Sequence, residues 1–143
     1  MKNAPKKILV SLKQAADAEE LVNLARHVAA AGARITALHV VEVPAATPLG
    51  ARDRALDAPA EAVERAVKKL AAKHRGVKIA VRVLRARHAG KAIADELKEG
   101  KFDLAVMSYH HKRSLAELLL GTTASYLAKH APCRLLMSVP PRR

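Results

Sequence analysis

The sequence has few aromatic residues and no long apolar run. Aromatic side chains make up 2% of the 143 residues, as Phe102, Tyr109 and Tyr126. Proteins that bind single-stranded nucleic acid usually stack bases on aromatic side chains, so this scarcity argues against that class. No apolar run approaches the ~20 residues that cross a bilayer, and no signal-like stretch follows the charged start of the chain. The composition therefore predicts neither a secreted nor a membrane-spanning protein.

The single cysteine limits disulfide and metal chemistry. Cys133 has no partner for an internal disulfide and cannot build a cysteine-rich metal site. It follows Pro132 and precedes an apolar run, which favours a buried structural thiol, and no activating base can be named for a nucleophile. A reducing, cytoplasmic location fits this use of cysteine best.

Positive charge is concentrated in one part of the chain. The formal net charge is +13, and between Glu61 and Lys91 ten basic residues occur against two acidic ones. Such a stretch attracts phosphate-rich partners, although it is also typical of a solvated face that maintains solubility. Without a helix-turn-helix or zinc-finger signature, nucleic-acid binding is expected only as non-specific, salt-sensitive attraction. The sequence leaves the role of residues 61–91 open.

Half of the residues are apolar, enough for a core, and the length suits one domain over residues 1–143. Short apolar runs predict five strands, at Lys6–Leu12, Arg34–Val43, Val77–Leu84, Asp103–Tyr109 and Arg134–Val139. The third strand alternates apolar and basic residues, which is typical of a protected sheet edge.

Helical spacing of apolar residues fills the intervals between the strands. Asp17 is expected to cap the first helix, and Asp57 with Pro59 to begin the second. A third helix follows Gly90, and a fourth carries Leu115–Leu119, is interrupted at Gly121 and then resumes. This alternation of strands and helices predicts an α/β domain with a mainly parallel sheet and helices on both faces.

A parallel sheet of this kind binds ligands where the carboxyl ends of its strands meet. The predicted ends are Leu12–Gln14, Val41–Val43 and Met107–Tyr109. Ahead of the resumed fourth helix, Thr122 and Thr123 offer hydroxyls beside unpaired backbone N–H groups. These residues indicate a phosphate site, and an ordinary helix cap explains them equally well.

Three segments carry a resemblance to a known family. The segments Met107–His111, Leu118–Ala124 and Lys129–Leu136 resemble those of universal stress proteins, and the strands follow in family order over nearly the whole chain. The resemblance implies a Rossmann-like fold with five parallel strands in the order 3-2-1-4-5, and usually a homodimer.

The family resemblance also places a nucleotide site on particular residues. Many members hold ATP with the pattern G-x2-G-x9-G-(S/T), which falls here on Ser108, His111, Gly121 and Thr122. Only the second half of the pattern is kept, because Ser108 and His111 put side chains where glycines let the backbone approach a phosphate. The family's acidic residue after the first strand corresponds to Lys13, a cation that cannot accept hydrogen bonds from ribose hydroxyls.

These departures disfavour family-type ATP binding but leave a basic crevice suited to an anion. His110, Lys112 and Arg113 are expected around the same crevice. ATP, another nucleotide or a phosphate anion is the candidate ligand. The predicted contacts are Lys13, Val41, Met107, Ser108, His111, Gly121, Thr122 and Thr123.

Neither catalysis nor a metal site is predicted. The seven histidines include no His-x3-His pair, and only His110 and His111 are kept as ligand contacts. Ser108 and His111, three residues apart, suggest a nucleophile and its base, but no acid is placed to orient the histidine. We therefore expect a binding protein rather than an enzyme.

The last predicted strand indicates a homodimer. Arg134–Val139 offers an apolar edge for pairing with its twin, and Pro140 and Pro141 end that pairing. The resemblance also implies a regulatory partner, since related domains occur attached to transporters and kinases. We interpret the chain as a stress-response or regulatory binding module with a degenerate nucleotide site. The alternatives are a nucleotide or phosphate-anion binder with altered basic contacts, and a basic cytoplasmic domain that regulates a membrane transporter.

Overall fold

The computed structural model describes residues 3–109, 122–139 and 141. Five parallel strands form one sheet in the order β3-β2-β1-β4-β5, which confirms the predicted fold class and strand order and places β3 at an edge. The strands are β1 (Lys7–Ser11), β2 (Arg34–Glu42), β3 (Lys78–Ala86), β4 (Leu104–Ser108) and β5 (Arg134–Ser138).

Two helices cover each face of the sheet. The described residues form α1 (Ala18–Val28), α2 (Arg54–Lys73), α3 (Ala89–Glu99) and α4 (Thr122–His130). Ile8 and Val10 of β1 pack towards α1 and α2, whereas Leu9 between them packs towards α3 and α4. This alternation buries β1 on both faces and makes it the centre of the core. None of the described helices combines the length and apolar character that a bilayer span requires.

Two of the predicted helix starts need correction. Helix α2 begins at Arg54, because Asp53 rather than Asp57 caps it and accepts a 2.8 Å hydrogen bond from the backbone of Ala55. The backbone N–H of Asp53 donates to the carboxylate of Asp57 at 3.2 Å, so the two carboxylates share the capping of one helix. Asp17 precedes α1 as predicted, but its side chain makes no capping hydrogen bond. The helical turn predicted at 115–119 lies outside the described residues.

The connection from β2 to α2, residues 43–53, is held by two arginines. Arg85 of β3 donates to the carboxylate of Asp57 at 2.8 Å and to two loop carbonyls at 2.6 and 2.5 Å. Arg87, just after β3, donates to three loop carbonyls, two of them at 2.5 and 2.6 Å. Guanidinium groups satisfy several acceptors at once, so two cations of the basic stretch serve to fix this loop.

Candidate functional site

A crevice of about 250 Å³ opens at the carboxyl ends of β1 and β2, between α3 and α4. We refer to it as the strand-end crevice. It lies on the side of the sheet where open α/β folds bind their ligands. Its lining residues are Leu12, Lys13, His39, Val40, Glu42, Ala89, Ile93, Thr122 and Thr123.

Three of the predicted ligand contacts meet in the strand-end crevice. Lys13 follows β1, is exposed and forms no ion pair with a carboxylate of the described residues. Thr122 and Thr123 begin α4, with Thr122 exposed and Thr123 buried. The first N–H groups of a helix lack partners within the helix. A full positive charge and the positive end of a helix dipole therefore face the same space.

The other described contacts do not line the crevice. The side chain of Val41 packs with Val43 and Ala60 beneath α2, and that of Met107 packs in the core beneath α3 and α4. Ser108 ends β4 and is half-buried outside the crevice lining. Five predicted residues lie outside the described residues, namely His110, His111, Lys112, Arg113 and Gly121.

His39 was not predicted as a site residue, and it positions Lys13. Its ring is buried, with 6% exposed, and its Nδ1 lies 2.8 Å from the carbonyl oxygen of Leu12. That bond assigns the proton to Nδ1, since a carbonyl only accepts. His39 thus ties the end of β1 to β2 immediately before Lys13. The sequence signal was a polar residue in an apolar strand near its carboxyl end.

Glu42, also not predicted, brings a carboxylate into the strand-end crevice. Its Oε2 accepts a 2.8 Å hydrogen bond from the backbone N–H of Ala89, the first residue of α3. Negative charge at a helix N-terminus is stabilising, so this contact fixes the end of β2 against α3. The crevice therefore combines one cation, one carboxylate, two hydroxyls and the N-termini of α3 and α4.

Gly90 allows α3 and α4, which flank the crevice, to approach each other closely. A Cβ atom at Gly90 would lie 2.8 Å from Cβ of Tyr126, a distance that real Cβ atoms do not tolerate. The Tyr126 ring lies against His88, with ring centroids 5.1 Å apart, and against His130, with centroids 4.3 Å apart. Because Cβ of Tyr126 belongs to the stem of the side chain, α4 itself would have to move to admit a larger residue.

The described residues offer little for metal or thiol chemistry. Within that part of the chain, no three His, Cys, Asp or Glu side chains are grouped so that they could hold a metal ion. Burial, with a smaller contribution from Asp103, raises the pKa of the Cys133 thiol. The thiol packs against the core beneath α3 and α4 and remains protonated at neutral pH, which makes it a weak nucleophile.

The sheet order and the position of the crevice define a doubly wound α/β domain. The model of the universal stress protein family matches residues 5–139. The chain belongs to the universal stress protein family, as the resemblance predicts. No curated protein matches the chain significantly.

Solved structures share the fold over nearly the full length. Universal stress protein UspA from Lactobacillus plantarum is 26% identical, with a TM-score of 0.68, covering 95% of this chain and 99% of that one. A universal stress protein in complex with cAMP is 20% identical, with a TM-score of 0.71, covering 97% and 100%. A universal stress protein family protein from Arabidopsis thaliana with AMP bound is 19% identical, with a TM-score of 0.60, covering 96% and 93%.

Proposed function

We propose that this chain is a non-catalytic, regulatory binding module that takes a nucleotide or a phosphate anion in the strand-end crevice. The observation that carries the proposal is that Lys13, without an ion-pair partner among the described residues, lines the same crevice as the first turn of α4. Helix N-termini bind phosphates through backbone N–H groups, and a lysine adds a full charge. The site is degenerate because Ser108 and His111 stand where the family's ATP pattern has glycines. In this proposal, the positive charge of Lys13 compensates for the phosphate contacts that those glycines would allow.

A nucleotide also needs a group that accepts from ribose hydroxyls, and Glu42 supplies one. Its Oε2 is engaged by Ala89, which leaves Oε1 as an acceptor. The family pattern places a carboxylate after β1, where this chain has Lys13. We therefore propose that the roles are exchanged between neighbouring strands, with Lys13 contacting phosphate and Glu42 contacting ribose. The cAMP and AMP bound to two structural neighbours support a nucleotide as the ligand.

A regulatory role is favoured over catalysis by the kinds of group in the lining. The cation, the carboxylate and the two threonine hydroxyls are suited to holding a ligand. The one histidine of the lining has its Nδ1 engaged with a backbone carbonyl and no hydroxyl bonded to it in the described residues. A cytoplasmic location and the regulation of a membrane transporter stay predictions.

The apolar edge of β5 supports a homodimer as the assembly. Leu135, Leu136 and Met137 are only half-buried, and an edge strand leaves backbone groups unpaired. A groove of about 540 Å³ runs beside this strand, and Val28 of α1, Leu104 and Leu136 contribute to its lining. Pairing with a second copy would satisfy the backbone and cover the apolar side chains.

The test is calorimetric titration of ATP, AMP and inorganic phosphate into protein freed of bound nucleotide, at two salt concentrations. Saturable ATP binding, tighter than phosphate binding and only mildly sensitive to salt, is expected. Lys13→Gln should weaken that binding by about tenfold or more, the usual effect of one lost charge-assisted hydrogen bond. The matched control is Lys91→Gln, which removes an exposed lysine from the first turn of α3 outside the crevice lining.

Two results would contradict the proposal. One is the absence of saturable heat with all three ligands, or weak heat that is abolished by salt with all three. The other is an equal affinity of the Lys13→Gln variant and the wild-type protein, which would place any bound anion elsewhere.

A further inference from the structure

Three like charges lie side by side where the sheet begins, at the end opposite the strand-end crevice. Lys7 of β1 pairs in register with Arg34 of β2, and Arg34 pairs in register with Lys78 of β3. Neighbouring strands lie ~4.8 Å apart, and paired residues point to the same face of the sheet. Like charges placed directly opposite each other destabilise a sheet. An anion bound across the row would relieve this repulsion.

No carboxylate of the described residues neutralises the two cations of the row that lie on β2 and β3. The side chains of Arg34 and Lys78 are exposed and form no ion pair in that part of the chain. Lys7 differs, because its Nζ donates to the carbonyl of Gly100 and lies 4.9 Å from the centroid of the Phe102 ring. The row therefore presents two uncompensated charges, with a third anchored beside them.

Further cations extend this row into a broader surface. Lys73 and Arg75 follow from the end of α2 into β3, Lys6 precedes β1, and Arg134 begins β5, and all four are exposed. A helix dipole accounts for a lysine at the end of α2, but not for cations at the starts of strands. We define the basic edge as the cations at the amino-terminal end of the strands, which is not one of the two lateral edges of the sheet. They are Lys6, Lys7, Arg34, Lys73, Arg75, Lys78 and Arg134.

The titration of a nearby histidine supports a positive potential at the basic edge. The pKa of His74 is lowered by burial first, and then by the charges of Arg26 and Lys73. His74 lies between two residues of the basic edge, Lys73 and Arg75. Protonation there is opposed by cations that no nearby carboxylate fully offsets.

The basic stretch noted in the sequence is thus divided by the fold. Arg82 lies in the middle of β3, Arg85 and Lys91 lie towards the carboxyl ends of the strands, and the three are paired with Glu96, Asp57 and Asp95 at 2.9, 2.8 and 3.3 Å. The cations at the amino-terminal end form no such pairs among the described residues. The amino-terminal end of the strands therefore carries a cluster of cations that form no ion pair among the described residues, in addition to Lys13 at the strand-end crevice.

We propose that the basic edge binds the phosphate backbone of double-stranded nucleic acid without reading its sequence. The Phe102 ring beneath the edge is buried, so it cannot serve as the platform for base stacking that single-strand binding uses. The exposed large apolar side chains of the described residues, Leu49 and Val139, follow the carboxyl ends of strands at the other end of the sheet. A membrane anchor that combines charge with inserted apolar side chains is therefore disfavoured. Regularly spaced phosphates suit a fixed row of cations.

The test measures the binding of a labelled, mixed-sequence DNA duplex by fluorescence anisotropy, at about 50 and about 200 mM salt. The edge variant is Arg34→Gln with Lys78→Gln. The matched control is Arg52→Gln with Lys91→Gln, which removes the same charge from the opposite end of the sheet. We expect wild-type binding to fall steeply with salt. The edge variant should lose about tenfold in affinity at low salt and flatten the logarithmic salt slope by about 2, while the control stays within about twofold.

Three results would overturn the proposal. Equal losses in the edge variant and the control would show that net charge alone acts. Failure of the wild-type protein to bind duplex at low salt would exclude the partner. Binding to vesicles rich in phosphatidylserine that depends on the basic edge, without duplex binding, would assign the surface to a membrane. Thermal melting checks folding, and the edge variant should be at least as stable as wild type because a repulsion is removed.

Discussion

The two edges of the sheet are built in opposite ways. At one edge, β3 has nine residues, pairs with β2 along its whole length, and carries charged side chains at Lys78, Arg82 and Arg85. At the other edge, β5 has five residues, and Leu135, Leu136 and Met137 are uncharged and half-buried. Charge along an edge strand discourages pairing with other chains, whereas β5, whose only charged residue is Arg134 at its start, permits it. One edge is protected and the other is open to a partner.

Packing reinforces this difference. Helix α2 covers β3 on one face, and Arg82 and Arg85 fasten the strand to α3 and to the start of α2. Beside β5, the space next to α1 is a groove with an apolar lining that includes Val28 and Leu136. As far as the described residues go, the open edge is also the less covered one, and a second copy of the chain is the partner we propose for it.

The largest expected effect is the loss of the dimer when charge is introduced at the open edge. Leu136→Lys places an ammonium group on β5 beside the groove, where pairing would bury it without a partner. Ala80→Lys is the matched control, because Ala80 is exposed on the protected edge β3. Light scattering at micromolar concentration should give a dimer for the wild type and for Ala80→Lys, and a monomer for Leu136→Lys.

Two outcomes would contradict the proposed difference between the two edges of the sheet. A wild-type monomer would remove the proposed role of β5, and a dimer disrupted equally by Ala80→Lys would place the interface at β3 or spread it over both edges. Because Leu136 also packs against the core, melting curves must show that the Leu136→Lys variant is folded.

A smaller effect, on the rate of proteolysis, is expected when the contacts that hold the 43–53 loop to the protected edge are removed. Arg85→Gln deletes the contacts to the 43–53 loop and to Asp57, whose side chain is 14% exposed. A protease that cleaves beside leucine should then attack Leu49 about tenfold faster, as expected when a hydrogen bond to a charged group is lost. Arg82→Gln is the control, because that ion pair lies on the same strand but is 54% exposed on the arginine side.

The expected order of cleavage rates can be contradicted directly. If Arg82→Gln accelerates cleavage as much as Arg85→Gln, the loop responds to general loosening of β3. If neither variant changes the rate, the contacts of Arg87 hold the loop alone.

Local sequence patterns predicted the elements and the protected edge. The alternation of apolar and basic residues in β3 is visible without any structure, and strand order followed from the family resemblance. The start of α2 was wrong because Asp57 and Pro59 imitate a helix start, while Asp53 makes the actual cap. Asp53 and Asp57 both take part in capping the helix, and only the structure shows that Asp53 accepts the hydrogen bond from the backbone N–H of Ala55.

Only part of the crevice lining was predicted from the sequence, since Val41, Met107 and Ser108 at the ends of β2 and β4 do not line it. Lys13 and the threonines of α4 lie together because a strand end and a helix start meet in any such sheet. The sequence marks His39 as a polar residue in an apolar strand and places Glu42 at a predicted strand end, but it could not reveal their contacts, because the partners are 27 and 47 residues away. The division of the basic stretch was partly hidden for the same reason, since Arg82 and Arg85 pair with residues on other elements, whereas only the Lys91–Asp95 pair is local.

The smallest expected effect is a dependence on pH that belongs to the protected edge. The hydrogen bond from the backbone of Asp53, and then the Arg85 guanidinium, lower the pKa of Asp57. A carboxylate whose pKa is lower in the folded state stabilises the protein above its unfolded pKa of about 3.9, and that contribution is lost as pH falls through the folded value. The difference in urea midpoint between wild type and Asp57→Asn should therefore shrink between about pH 6 and pH 3.

The control for this pH series is Asp95→Asn, which breaks the exposed ion pair with Lys91 and should shift the curve little at any pH. Parallel curves for wild type and Asp57→Asn would show that the Asp57 carboxylate does not stabilise the fold. Light scattering over the same pH range is a second measurement. It should not change with pH, because the side chains of Leu135, Leu136 and Met137 of β5 do not titrate. If acid loosens the 43–53 loop while light scattering still reports a dimer, the protected edge depends on charge and the open edge on apolar burial.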